Sequence, residues 1–139
     1  MEDKILYILR GIPGCGKTTL AEDLANAFGL LPGIVCCADD YHMIDGEYRW
    51  KPENVEYSHK ACQNKCRFLM YGNSPRVIIS NTNVTESDIN IYIKMANEYG
   101  YKVFSLVVEN RHGNISVHNV PDSTLDKMEN KLRNSIKLR

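Results

Sequence analysis

The chain has 139 residues, enough to bury one hydrophobic core but not two, so a single domain over 1–139 is expected. Lys+Arg and Asp+Glu balance at 17 each, a neutrality that argues against tight, sequence-blind coating of nucleic acid. No stretch approaches the ~20 apolar residues that cross a bilayer, and an odd set of five cysteines argues against a disulfide framework; a reducing cytoplasm and no membrane partner are expected.

The first element is an apolar run, residues 4–10, that reads as a buried strand. It leads into Gly11-Ile12-Pro13-Gly14-Cys15-Gly16-Lys17-Thr18, which satisfies G-x-x-x-x-G-K-[ST], the P-loop or Walker A pattern. Leu20, Leu24 and Phe28 then recur at helical spacing, giving a helix over about 16–28 that Gly29 stops. Strand, glycine turn and helix are what phosphate binding needs: glycines let successive N–H groups point inward, and the helix adds its positive dipole end. Gly11, Pro13, Gly14, Cys15, Gly16, Lys17, Thr18 and Thr19 are therefore the candidate ATP contacts. Lys17 would reach the β- and γ-phosphates, and the Thr18 hydroxyl would ligate Mg²⁺.

A second strand over 34–38 runs into Asp39 and Asp40, which would face opposite ways if the extended backbone continued. Asp39 is the candidate general base and Asp40 a candidate substrate contact. Residues 41–51 interleave aromatic and basic side chains, and Tyr48, Arg49 and Trp50 suit an acceptor site that stacks bases and meets phosphate. Val55, His59, Cys62, Cys66 and Leu69 share a helical face and read as core rather than as a metal site. The third strand, 76–80, ends in Asn81-Thr82-Asn83, where many P-loop proteins carry a Walker B carboxylate; Asn83 is a candidate substrate contact. Thr85 with Asp88 reads as the cap of a helix that ends at Gly100. A fourth strand follows over 102–108. Residues 109–120 form a polar loop, long enough to act as a lid, in which Arg111 would meet charge on the transferred phosphoryl. Leu125, Met128, Leu132 and Ile136 mark a last helix.

Alternating β and α segments imply an α/β fold, with a parallel sheet of four or five strands in the order 2-3-1-4 and helices on both faces. Ligands in such sheets sit beyond the carboxyl ends of the strands. The P-loop, Asp39-Asp40-Tyr41-His42, Asn81-Thr82-Asn83 and the 109–120 loop would all meet there.

Residues 11–19, Asp39-Asp40-Tyr41, Ile79-Ser80-Asn81-Thr82-Asn83, Glu98-Tyr99-Gly100-Tyr101-Lys102-Val103 and Val120-Pro121 together resemble one family. It is the kinase domain of the T-even phage polynucleotide 5′-hydroxyl kinases, with the short P-loop kinases grouped with them. The resemblance implies ATP and Mg²⁺ as cofactors and a nucleic-acid 5′ end as acceptor. It also implies Lys17 on phosphate, Asp39 as general base and a lid arginine, for which Arg111 is the counterpart. The chain departs from that pattern at His42, where the family has an arginine that contacts acceptor phosphate, and at Asn81, where it has Asp. His42 and Arg49 are the expected acceptor-positioning pair. A kinase for a small molecule and a non-catalytic nucleotide-binding module are the competing readings. A GTPase switch is disfavoured by the lack of D-x-x-G and N-K-x-D motifs.

Overall fold

The computed structural model describes residues 3–30, 32–109 and 120–135. In chain order it contains β1 (Ile5–Arg10), α1 (Lys17–Ala27), β2 (Val35–Cys36), β3 (Met43–Ile44), β4 (Glu47–Tyr48), α2 (Val55–Tyr71), β5 (Arg76–Ser80), α3 (Glu86–Tyr99), β6 (Lys102–Val107) and α4 (Asp122–Ser135). Four strands form a parallel sheet in the order β2-β5-β1-β6, which is the expected 2-3-1-4 arrangement. The hairpin β3–β4 stands apart as a two-stranded antiparallel sheet.

β1 is central because its side chains have apolar company on both faces. Leu6 and Ile8 lie opposite Val77 and Ile79 of β5 and join Cys62, Cys66 and Met70 of α2 with Tyr92, Met95 and Ala96 of α3. Leu9 points the other way, into a smaller cluster with Ile78 and with Ala21 and Ala25 of α1. Alternation along one strand thus places α1 on one face and α2 with α3 on the other. Local signals set the helix ends. Thr85 and Asp88 form a reciprocal capping box, and Gly100 ends α3 at φ 76°, a left-handed turn that glycine adopts without Cβ strain.

Three expectations need correction. The strand expected over 34–38 pairs with β5 at Val35 and Cys36, and the chain then tightens into a 3-10 turn over Ala38–His42. The Ala38 N–H donates to Asn81 Oδ1 at 2.8 Å instead of extending the ladder. Asp39 and Asp40 therefore sit on a turn, both exposed, rather than alternating across an extended strand. The buried face of α2 runs through Ser58, Cys62, Cys66 and Met70, a strict four-residue spacing, which turns His59 to solvent. Finally, the 41–51 segment contains the β3–β4 hairpin, turned by Asp45 at φ 52° and Gly46 at φ 80°. Asp-Gly is the pair favoured at such a turn, so this signal was present in the letters. Among the described residues, no helix is long and apolar enough to cross a membrane.

Candidate phosphate-binding and transfer site

The P-loop leaves the carboxyl end of β1 and closes on itself: the Cys15 N–H donates to Ile12 O at 3.2 Å, and Leu20 N–H to Gly16 O at 3.0 Å as α1 begins. Gly14 and Gly16 hold φ 86° and 98°, left-handed values that a Cβ would strain. Gly11 is constrained differently: a Cβ there would come within 2.6 Å of both Cys15 Sγ and Val108 O. Pro13 is half-buried on the loop, whereas Cys15 is buried beneath it. Lys17 folds over the loop, its Nζ donating to Gly11 O at 2.8 Å and Ile12 O at 3.1 Å. Thr18 and Thr19 are exposed in the first turn of α1, which carries no acidic residue to cancel the helix dipole. Free amides, a lysine and an exposed hydroxyl fit a nucleotide phosphate with Mg²⁺. Among the described residues no group of three or more His, Cys, Asp or Glu could hold a metal ion, so the donor set for Mg²⁺ is Thr18 together with phosphate oxygens.

Asn81-Thr82-Asn83 works as a strut. Thr82 O accepts from the Gly11 N–H at 3.0 Å, and Asn83 Nδ2 donates to Leu9 O at 2.8 Å and to Asn81 O at 3.3 Å. Asn83 adopts φ 48°, which lets its carbonyl accept from Arg10 Nε at 2.8 Å. On its other side Asn81 Oδ1 holds the Ala38 N–H and Nδ2 donates to Cys62 Sγ at 3.5 Å. One three-residue loop therefore ties the root of the P-loop to the turn that carries Asp39. The amides of Asn81 and Asn83, expected near substrate or Mg²⁺, are buried and spent on these backbone bonds.

Asp39 is exposed at the start of its turn, and Tyr48 of β4 donates to its Oδ1 at 3.2 Å. Burial first, then the Asp39 charge, pushes the Tyr48 phenol up to about 12. The same two causes, in the same order, push the Cys37 thiol up to about 12. Partial desolvation raises the Asp40 carboxyl above the ordinary Asp value; Lys65 opposes that shift and Asp39 adds to it. Arg49 is exposed on the hairpin rim and pairs with Glu47 at 3.0 Å. His42 is 3% exposed, under Tyr48 and Trp50 at ring-centroid distances of 6.1 and 6.5 Å, and its Nδ1 has no hydrogen-bond partner among the described residues. The structure thus groups Asp39, Asp40, Tyr48 and Arg49 around one rim and places His42 beneath it. Arg111 lies outside the described residues, as does the 109–120 loop apart from its two ends.

Arg10 was not anticipated. It closes an otherwise apolar strand immediately before Gly11, is 4% exposed, and its Nη2 donates to Ser135 Oγ of α4 at 2.6 Å. Burial lowers its pKa, while the charges of Asp88 and Glu86 act in the opposite direction. A single charged residue ending a buried strand was the available signal.

Human NEDD4-binding protein 2 is 30% identical over 99 residues, which cover 71% of this chain and 6% of that protein. Rat 2′,3′-cyclic-nucleotide 3′-phosphodiesterase is 30% identical over 109 residues, covering 73% of this chain and 23% of the relative. The chain thus spans a minor part of either relative. Among solved structures, a candidate kinase of Chloroflexus aurantiacus superposes with a TM-score of 0.61 at 17% identity, covering 78% of this chain and 60% of that one. The Pnkp1/Rnl/Hen1 complex matches with a TM-score of 0.61 at 23% identity, over 91% of this chain and 39% of its counterpart. The APS kinase CysC of Mycobacterium tuberculosis covers 96% of this chain and 99% of its own with a TM-score of 0.50 at 11% identity. The AAA_33 family, described as an AAA domain, matches residues 6–119, a span that holds the P-loop, the Asp39 turn and the strut between them. The chain belongs to that family and has the P-loop kinase fold.

Proposed function

We propose that the chain is an ATP-dependent phosphotransferase whose acceptor is a hydroxyl, best the 5′-hydroxyl of a DNA or RNA strand. The observation that carries this reading is the strut: residues 81–83 fasten the P-loop root and the Asp39 turn to the same end of the sheet. A phosphate cradle alone binds a nucleotide; a carboxylate held beside it supplies the proton acceptor that transfer needs. Asp39 takes the proton of the acceptor hydroxyl as that oxygen bonds to the γ-phosphorus. The bond from the γ-phosphorus to the bridging oxygen breaks, and ADP leaves. Mg²⁺, when bound, neutralises phosphate charge. The P-loop amides and Lys17 hold the phosphates in line.

A nucleic-acid acceptor draws support from the resemblance to 5′-hydroxyl kinases and from the hairpin rim, where Arg49 and the exposed ring of Trp50 can meet a phosphate and a base. Asp40 and Arg49 flank the acceptor, and His42 supports the rim from below. The rat relative is named for a cyclic-nucleotide substrate, a name that covers a protein of which this chain spans 23%. The test is labelled ATP offered with 5′-hydroxyl DNA and RNA oligonucleotides, mononucleotides and nucleosides. Label on the oligonucleotides, lost when the 5′-hydroxyl is blocked, is the expected result. Label confined to the small acceptors would make this a small-molecule kinase, and ATP binding without transfer would make it a nucleotide-binding module.

A further inference from the structure

The hairpin that sequence reading took for an acceptor wall has turned one of its side chains on the base itself. β3 and β4 pair Met43 with Tyr48, and the Arg49 N–H donates to His42 O at 2.8 Å, closing the hairpin onto the turn that carries Asp39. The Tyr48 ring then stands edge-on to the buried His42 ring, with 64° between their planes. From that seat its hydroxyl reaches Asp39 Oδ1. We infer that Tyr48 is a positioning residue for Asp39, its hydroxyl fixing one carboxylate oxygen and leaving the other to accept the proton of the acceptor hydroxyl.

The physical reason lies in where Asp39 stands. It is an exposed carboxylate on a short 3-10 turn, and the residue before that turn makes no side-chain cap. An exposed side chain keeps its rotamers unless something else holds it. A base misplaced by about 1 Å loses on the order of 100-fold in rate. Tyr48 supplies the constraint at low entropic cost, because its ring is already packed. The phenol remains a donor throughout the neutral range, since burial and the Asp39 charge keep it protonated. The other groups around the pair are the Cys37 thiol at the strand end, the neighbouring Asp40 carboxyl, and Lys65 of α2, whose charge acts on Asp40. None of them offers the directed O–H that Tyr48 does.

The inference rests on the reading of Asp39 as the base, and the experiment separates the two. Turnover with labelled ATP and a 5′-hydroxyl oligonucleotide is measured for wild type, Tyr48→Phe, Asp39→Asn and the double variant. Tyr48→Phe is expected to lower kcat about 10-fold and to leave KM for ATP and acceptor within about twofold. In the Asp39→Asn background the same substitution is expected to cost nothing further. An equal loss in both backgrounds, a loss carried by KM, or an unchanged kcat beside an inactive Asp39→Asn overturns the inference while the base assignment stands. Wild-type turnover of Asp39→Asn ends both. A ¹³C NMR titration of the Tyr48 ring supplies a readout independent of turnover. Its midpoint, about 12 in the intact pair, should move down toward the ordinary tyrosine range in Asp39→Asn. An unmoved midpoint means that the bond is absent in solution, and the inference falls.

Discussion

Asp40 is the residue whose environment works most plainly against its charge. Its carboxyl is raised by desolvation, with Asp39 adding and Lys65 subtracting, so the folded chain holds that proton more tightly than the unfolded chain does. The sign follows: a native state that binds more protons loses stability as pH rises through the window between the ordinary and the raised value. Asp40→Asn removes the charge and keeps the shape. It is expected to be more stable than wild type at neutral pH, with the advantage shrinking as pH falls toward 3.8, the ordinary Asp value. Urea denaturation at a series of pH values checks this; an advantage that grew on acidification would contradict it. A fold that tolerates such a cost at a rim shared with Asp39 is consistent with a rim kept for function rather than for stability.

Among the elements, the 81–83 strut joins the two halves of the proposed reaction, and Asn81 is its acceptor-side end. Asn81→Ala leaves the buried Ala38 N–H without its partner, an expected loss of about 1–3 kcal/mol by chemical denaturation. Turnover should fall with it, because the Asp39 turn is no longer pinned, while ATP affinity should hold, because the P-loop is tied through Thr82 and Asn83. Equal damage to both would mean that the strut does not separate the halves. This element also shows what the letters could and could not say. β1, the P-loop and α1 were legible because strand run, glycines and helix spacing lie within one stretch of chain. The Thr85 cap and the Gly100 stop were legible for the same reason. The 3-10 turn at Ala38 was not, since its cause is a side chain 43 residues away. The direction of Tyr48 was not either, because it depends on a hairpin whose Asp45-Gly46 signal went unread among the aromatic and basic letters. His59 was misplaced by one position: helical spacing fits more than one face of α2, and the packing partner chooses among them.

At the scale of the whole molecule, the order β2-β5-β1-β6 puts the P-loop strand in the middle and the Asp39 strand two places away, with β5 and its strut between them. Central position and full burial go together, so Ile8, wholly buried on β1, is expected to cost about 2–5 kcal/mol as Ile8→Ala in denaturant unfolding. A loss below about 1 kcal/mol would mean that this face of the sheet repacks freely, contrary to the interlocking of α2 and α3 on it. The architecture makes a division of labour at the site the central claim: the P-loop grips the donor and Asp39 activates the acceptor. The most direct test compares Lys17→Ala with Asp39→Ala, measuring ATP binding by calorimetry and transfer to a 5′-hydroxyl oligonucleotide in the same preparations. Both variants should lose transfer, and Lys17→Ala alone should lose most of its ATP affinity. Wild-type transfer by Asp39→Ala would contradict the account.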